Sequence, residues 1–148
     1  IKPEEGERTI RLLAAWIHQT SFAYPGRVAF LLWKRKHSDL LQSLIPQAEI
    51  LAPEEACWRA GDAAILGLPL FSGVLPGVGY AVPNKFIGLE LFRKGIIGRY
   101  HHRGGKVIAY LPTDPAMVTQ ALAAGCDLVL AEYPCIPKEL SHVAKNGT

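Results

Sequence analysis

Ile1-Lys2-Pro3-Glu4-Glu5-Gly6-Glu7 is the stretch on which the choice of fold turns. Ile1-Lys2-Pro3 has the character of the C-terminal end of a β-strand. Glu4, Glu5 and Glu7 are the acidic residues favoured at the positive end of a starting helix. No cap, tail or signal peptide is legible there. The expectation is a chain that begins where a buried strand is ending, as a piece of a larger enzyme.

From there helix and strand alternate. Ile10, Leu13, Ala14 and Ile17 recur at helical spacing, so an amphipathic helix is predicted from Glu4 to about Thr20. Tyr24-Pro25-Gly26 is a turn. Arg27 to Trp33 is a nearly continuous apolar run, as in a strand covered on both faces. Ser38 is expected to cap a helix carrying Leu40, Leu41, Leu44 and Ile45, stopped by Pro46. Ala48 to Leu51 is a short strand. Pro53 suits the first position of a helix favoured by Glu54 and Glu55 and closed by Gly61. Asp62 to Gly79 is rich in Gly and Pro and yields no definite element.

Gly79 to Val82 is a further strand. It is expected to lead through Pro83-Asn84-Lys85 into a helix with Leu89, Phe92, Ile96 and Tyr100 on one side, weakened by Gly95 and Gly98. Lys106 to Leu111 is a strand. Asp114-Pro115 starts a helix by the cap-then-proline rule, and Gly125 ends it. Asp127 to Ala131 is a strand, and a short helix follows from Pro137.

Successive βα units imply parallel strands in an α/β fold. A closed (β/α)₈ barrel needs about 250 residues, so 148 is roughly its second half. Length favours an open doubly wound sheet, but the Gly-rich phosphate loop of that fold is missing. The strand end at Ile1-Lys2-Pro3 shifts the expectation to the barrel. The predicted fold is α/β, parallel βα units forming the C-terminal half of a TIM (β/α)₈ barrel, as a single domain over 1–148.

Composition narrows the function classes. A 49% hydrophobic, 20% charged chain is that of a folded globular protein. A net charge of +3 does not point to nucleic acid, because the basic residues form no long run. The densest patch, Lys34-Arg35-Lys36-His37, is read as a solvated loop in preference to a phosphate-facing patch. The cysteines, Cys57, Cys126 and Cys135, lack CxxC spacing, and a reducing, cytoplasmic setting is expected. No apolar run reaches the roughly 18 residues of a membrane span; the longest, Ala63 to Leu70, is broken by Gly67 and Pro69.

Two segments carry a family resemblance. The first is Ile1-Lys2-Pro3 with Glu5-Gly6-Glu7 and the helix behind it. The second is Gly105-Lys106-Val107-Ile108-Ala109-Tyr110, Thr113-Asp114, Ala124-Gly125-Cys126-Asp127 and Ala131-Glu132-Tyr133-Pro134. The first resembles the "EIKP" strand end of the glycerophosphodiester phosphodiesterase family. The second is similar to that family's closing pattern, "G-x-V-x-x-W-T-V-N-D", a helix, then "G-V-D-G-I-I-T-D-x-P". Arg27 to Trp33 with Ser38 to Pro46 resembles its "V-x-x-x-S-F" strand and "L…P" helix. The likeness runs from the fourth barrel strand to the eighth.

That resemblance implies metal-assisted hydrolysis of a glycerophosphodiester to glycerol phosphate and an alcohol. A Ca²⁺ or Mg²⁺ ion held by carboxylates polarises the phosphate, and two histidines act as acid and base. The metal ligands and both histidines would precede Ile1, so none falls in this chain, and the fragment alone is expected to be inactive. Lys2 would stand at the catalytic face and offset phosphate charge. Trp33 and Tyr110 would end strands there as substrate-contact walls. Leu32 and Tyr110 replace the family's Ser and Trp, and Glu132 replaces its Asp, which leaves the alcohol of the diester open. The implied partners are the small-molecule diester and the N-terminal half of the barrel, or another copy pairing through open strand edges.

His102-Arg103-Gly104-Gly105 spells the family's first catalytic triplet in the wrong context. It follows a helix, precedes a strand and lacks the later "E-N-T". Basic residues before paired glycines are read instead as a helix C-terminus. His18, His37 and His142 have no carboxylate or Cys at ligand spacing. The competing view is a non-catalytic open α/β binding module.

Overall fold

A computed structural model describes residues 4–20, 22, 25–26 and 28–131. The chain divides into two compact units, Ile1–Trp58 and Arg59–Thr148. The first contains α1 (Gly6–Thr20), β1 (Ala29–Phe30), α2 (Arg35–Leu44) and β2 (Glu49–Ile50). β1 and β2 are parallel, with Ala29 opposite Glu49 and Phe30 opposite Ile50. Ile10, Ala14 and Ile17 form the buried stripe of α1. They join Phe30, Leu32, Leu41, Ile45 and Ala48 in one core, as the helical spacing predicts.

Two local expectations fail in this unit. α2 begins at Arg35, its N-cap is Lys34, and no side chain caps it. Ser38, the expected cap, lies inside the helix with its hydroxyl buried and without a hydrogen-bond partner. Arg35, Lys36 and His37, read as a solvated loop, make the first turn, and His37 is only 4% exposed. The cause is a close approach. His37 packs on Gly6, where a Cβ would meet the ring Nδ1 at 2.5 Å. With no side chain at position 6, the first turn of α2 closes on the first residue of α1.

The division falls within α3 (Glu54–Leu66). Gly61 does not close this helix. It continues to Leu66, and Gly67 at φ +76° ends it, with the Leu68 N–H donating to the Ala63 carbonyl at 2.8 Å. That is the left-handed glycine stop, one glycine later than expected. Arg99 also donates to the carbonyls of Ala64 and Ile65, satisfying acceptors at the helix end.

The second unit goes on with a 3₁₀ turn at Pro69–Phe71, β3 (Gly79–Pro83), β4 (Lys85–Phe86), β5 (Leu89–Glu90), α4 (Lys94–His102), β6 (Lys106–Tyr110), α5 (Pro115–Ala124) and β7 (Leu128–Leu130). Its parallel sheet runs in the order β3-β6-β7. Gly79 to Pro83 stand opposite Lys106 to Tyr110, and Ile108 to Tyr110 opposite Leu128 to Leu130. Val107, Ile108 and Ala109 of the central strand are all buried, which explains its unbroken apolar run. Tyr80 and Tyr100 pack in a tilted pair with centroids 5.7 Å apart.

The helix expected directly after Pro83-Asn84-Lys85 is a hairpin instead. β4 and β5 pair antiparallel, with Lys85 opposite Glu90 and Phe86 opposite Leu89. Ile87 and Gly88 both take positive φ, +48° and +76°, the backbone of a tight two-residue hairpin turn. Leu89 therefore belongs to β5, and only Ile96 and Tyr100 of the expected face join Ile97 in the buried side of α4.

α5 matches expectation closely. Asp114 is its N-cap, accepting the Met117 N–H at 2.8 Å, Pro115 opens it, and Gly125 ends it at φ +98°. α4 ends at His102, with Arg103 as its C-cap and Gly104 at φ +75°, so the His-Arg-Gly triplet is a helix end. The architecture is mixed α/β with parallel strands joined through helices.

Candidate functional site

In α/β folds with parallel strands, chemistry gathers where the strands end at their carboxyl edge. In the second unit that edge is formed by Pro83 of β3, Tyr110 of β6 and Leu130 of β7, which share one register. Tyr110 is half-buried there. Leu111 follows at φ +49°, its N–H donating to the Leu130 carbonyl at 2.8 Å. A leucine in the left-handed region is strained, and such strain concentrates at functional sites.

Asn84 stands at the same edge, next to Pro83. Its backbone carbonyl accepts the Leu91 N–H at 2.8 Å and closes the hairpin. Its side-chain Oδ1 is buried and has no hydrogen-bond partner. A buried acceptor left unsatisfied costs free energy unless something occupies it. No motif in the sequence singles Asn84 out. The signal available was an amide directly after an apolar strand, which is as common in plain turns. The hairpin also brings Lys85 within 3.8 Å of Glu90 in an exposed ion pair.

In the first unit Trp33 lies in the connection between β1 and α2, next to Lys34, the N-cap of α2. It is half-buried, and its carbonyl accepts the Glu54 N–H at 3.4 Å. The N-terminus of α2 has no side-chain cap, so its positive end is not neutralised. The N-terminus of α5 differs, because Asp114 fills it. Tyr110 marks the carboxyl edge of its sheet, whereas the strand expected from Arg27 to Trp33 is strand only over Ala29–Phe30, which leaves Trp33 three residues beyond it. Lys2 and Glu132 lie outside the described residues, as do Cys135, His142 and the helix expected from Pro137.

His101 and Asp127 form a pair away from this edge. His101 lies in the last turn of α4 and Asp127 just before β7, with Nε2 and Oδ2 2.9 Å apart. Burial works against the Asp127 charge, but the Val107 N–H and the His101 ring outweigh it and hold the carboxyl below its ordinary value. Burial, with the Asp127 charge adding to it, pushes the Cys126 thiol up to about 11. A thiol so held is a packing group and not a nucleophile.

Among the described residues, no three His, Cys, Asp or Glu side chains come together as a metal site would require. No protein-family model matches the chain, and no curated protein matches it.

Proposed function

We propose that this chain forms the closing half of a (β/α)₈ barrel in a glycerophosphodiester phosphodiesterase, and supplies the wall and not the metal centre of its site. The observation that carries this reading is the run from β6 to β7. Tyr110 ends a strand, Asp114 caps the next helix, Gly125 stops it, and Asp127 leads into a parallel strand. Those are the places at which the sequence resembles the family's closing pattern.

On this reading the bound metal would polarise the phosphate, held by carboxylates outside this chain. The chain's own residues bind and orient. The Tyr110 ring borders the diester and keeps water from its flank; the family resemblance gives Trp33 a like wall role and Lys2 the charge that opposes the phosphate. A rotation of the Asn84 side chain would bring its buried, unpartnered Oδ1 out to accept a hydrogen bond from a hydroxyl of the glycerol moiety. A glycerol diester offers such donors, and an acceptor tied up within the fold would be of no use to it.

The test is a steady-state assay of the protein that carries this chain, with glycerophosphocholine and glycerophosphoethanolamine, comparing Tyr110→Ala and Asn84→Ala with the unaltered protein. Both variants should lower kcat/KM by roughly tenfold to a hundredfold, the range of one well-placed contact. Unchanged kcat/KM in both would remove the site assignment. Absence of glycerol phosphate release by the unaltered protein would remove the function.

A further inference from the structure

The end of α3 and the loop that leads from it to β3 expose more large apolar surface than a water-facing segment requires. Leu66, Leu68, Leu70, Phe71 and Leu75 are 71%, 48%, 75%, 74% and 60% exposed. Isolated exposed leucines are ordinary, but so many large exposed apolar side chains in one short segment point to an interaction surface. Leu70 and Phe71 sit on the 3₁₀ turn, and exposures near three-quarters mean that they project outward.

The loop is held, not loose. Ser72 and Val74 point inward at 3% and 4% exposure. The Val74 N–H donates to Ser72 Oγ at 3.2 Å, and the Leu75 N–H donates to the Tyr80 hydroxyl at 2.9 Å. Tyr80 itself is 1% exposed. The apolar tip is therefore presented in a set shape, which lowers the ordering cost of binding.

The base of the loop is basic. The Arg99 guanidinium lies 3.5 Å from where a Cβ on Gly67 would be, and the Arg59 guanidinium 2.7 Å from the same place on Gly73. The Gly77 N–H donates to the Gly104 carbonyl at 2.8 Å, which brings the exposed end of α4, with His102 and Arg103, against the same loop. The acids nearest this segment are Glu55, exposed and one helical turn before Arg59 on α3, Asp62, also exposed on α3, and Asp127, already engaged by Val107 and His101.

We propose that this loop docks the protein on an anionic membrane surface. Leu70 and Phe71 enter the acyl boundary, and the exposed Arg59 and Arg103 lie at the level of the lipid phosphates. A projecting apolar tip above a basic collar fits a fluid bilayer, which closes around a convex shape; a protein partner would need a matching pocket. The collar selects negative headgroups. No described helix is long and apolar enough to cross a membrane, so the contact is interfacial. This surface is independent of the diesterase reading.

The experiment is co-sedimentation of the full chain with vesicles of phosphatidylcholine alone and of phosphatidylcholine mixed equally with phosphatidylglycerol. Binding to the mixed vesicles should exceed binding to phosphatidylcholine and fall with added salt. The pair Leu70→Asp and Phe71→Asp should weaken it by roughly tenfold or more. Arg59→Gln and Arg103→Gln should each weaken it by roughly fivefold. Thermal melts of all variants should match the unaltered chain, since these side chains are exposed. Failure to bind mixed vesicles, or binding indifferent to the Leu70 and Phe71 changes, overturns the proposal. So does a dimer that the same two changes convert to a monomer without any vesicle binding, because a second copy would then be the occupant.

Discussion

Asp127 and Val107 hold each other by two hydrogen bonds: the Val107 N–H donates to the Asp127 carboxylate at 2.7 Å, and the Asp127 N–H donates to the Val107 carbonyl at 2.8 Å. One residue thereby fixes the start of β7 against β6 and receives the His101 ring from the end of α4. Because the folded carboxyl lies below its ordinary value of 3.8, its contribution is present above about pH 4. It is lost as pH falls through the lower folded value. Asp127→Ala should cost about 1–3 kcal/mol at neutral pH by stranding the Val107 N–H. Asp127→Asn, which keeps an acceptor, should cost less and flatten the acid limb of a stability-versus-pH curve. Urea melts from pH 3 to 7, about the window in which carboxylates titrate, check both.

Gly6 and His37 carry a steric prediction. Alanine normally improves a helix by about 1 kcal/mol over glycine, yet at position 6 its methyl would collide with a buried ring. Gly6→Ala should destabilise the unaltered chain by about 1–3 kcal/mol through overpacking, and cost little in a His37→Ala background. A double-mutant cycle by thermal melting measures the coupling.

Legibility followed locality. The boundaries of α5 were readable because Asp114, Pro115 and Gly125 act through bonds within their own turns. The buried strip of α1 was readable from spacing alone. Gly61 misled because a mid-helix glycine and a terminal one look alike in sequence. What distinguishes them is the backbone: Gly67 turns left-handed at φ +76°, whereas Gly61 stays helical. Arg35, Lys36 and His37 misled because burial of His37 depends on Gly6, far away in the chain. At the candidate site Tyr110 was legible as a strand end, whereas the buried, free Oδ1 of Asn84 depends on the hairpin fold-back.

The hairpin was hidden by Ile87. A β-branched residue at φ +48° is an outlier, and the Asn-Gly or Asp-Gly signal of such turns is absent. Ile87 is also 88% exposed, so packing does not compensate. Ile87→Asn should therefore stabilise the protein by about 1 kcal/mol, a sign opposite to that of most substitutions. A raised thermal midpoint would verify it; a lowered one would mean that Ile87 has an unseen contact role.

Cys126 should resist thiol reagents. Its thiol is held at about 11 by burial and the neighbouring carboxylate, so little thiolate exists at pH 8. Peptide mapping after brief iodoacetamide treatment should show Cys126 unmodified in the folded protein and modified in urea.

Phosphodiester turnover in the protein that carries this chain, with and without Lys2→Ala, is the decisive measurement. The unaltered protein is predicted to release glycerol phosphate from glycerophosphocholine. Lys2→Ala should lower kcat by about a hundredfold or more, as loss of a charge facing the phosphate does, with an unchanged thermal melt. A fully active Lys2→Ala protein, or an unaltered protein that leaves the diester intact, would contradict the account.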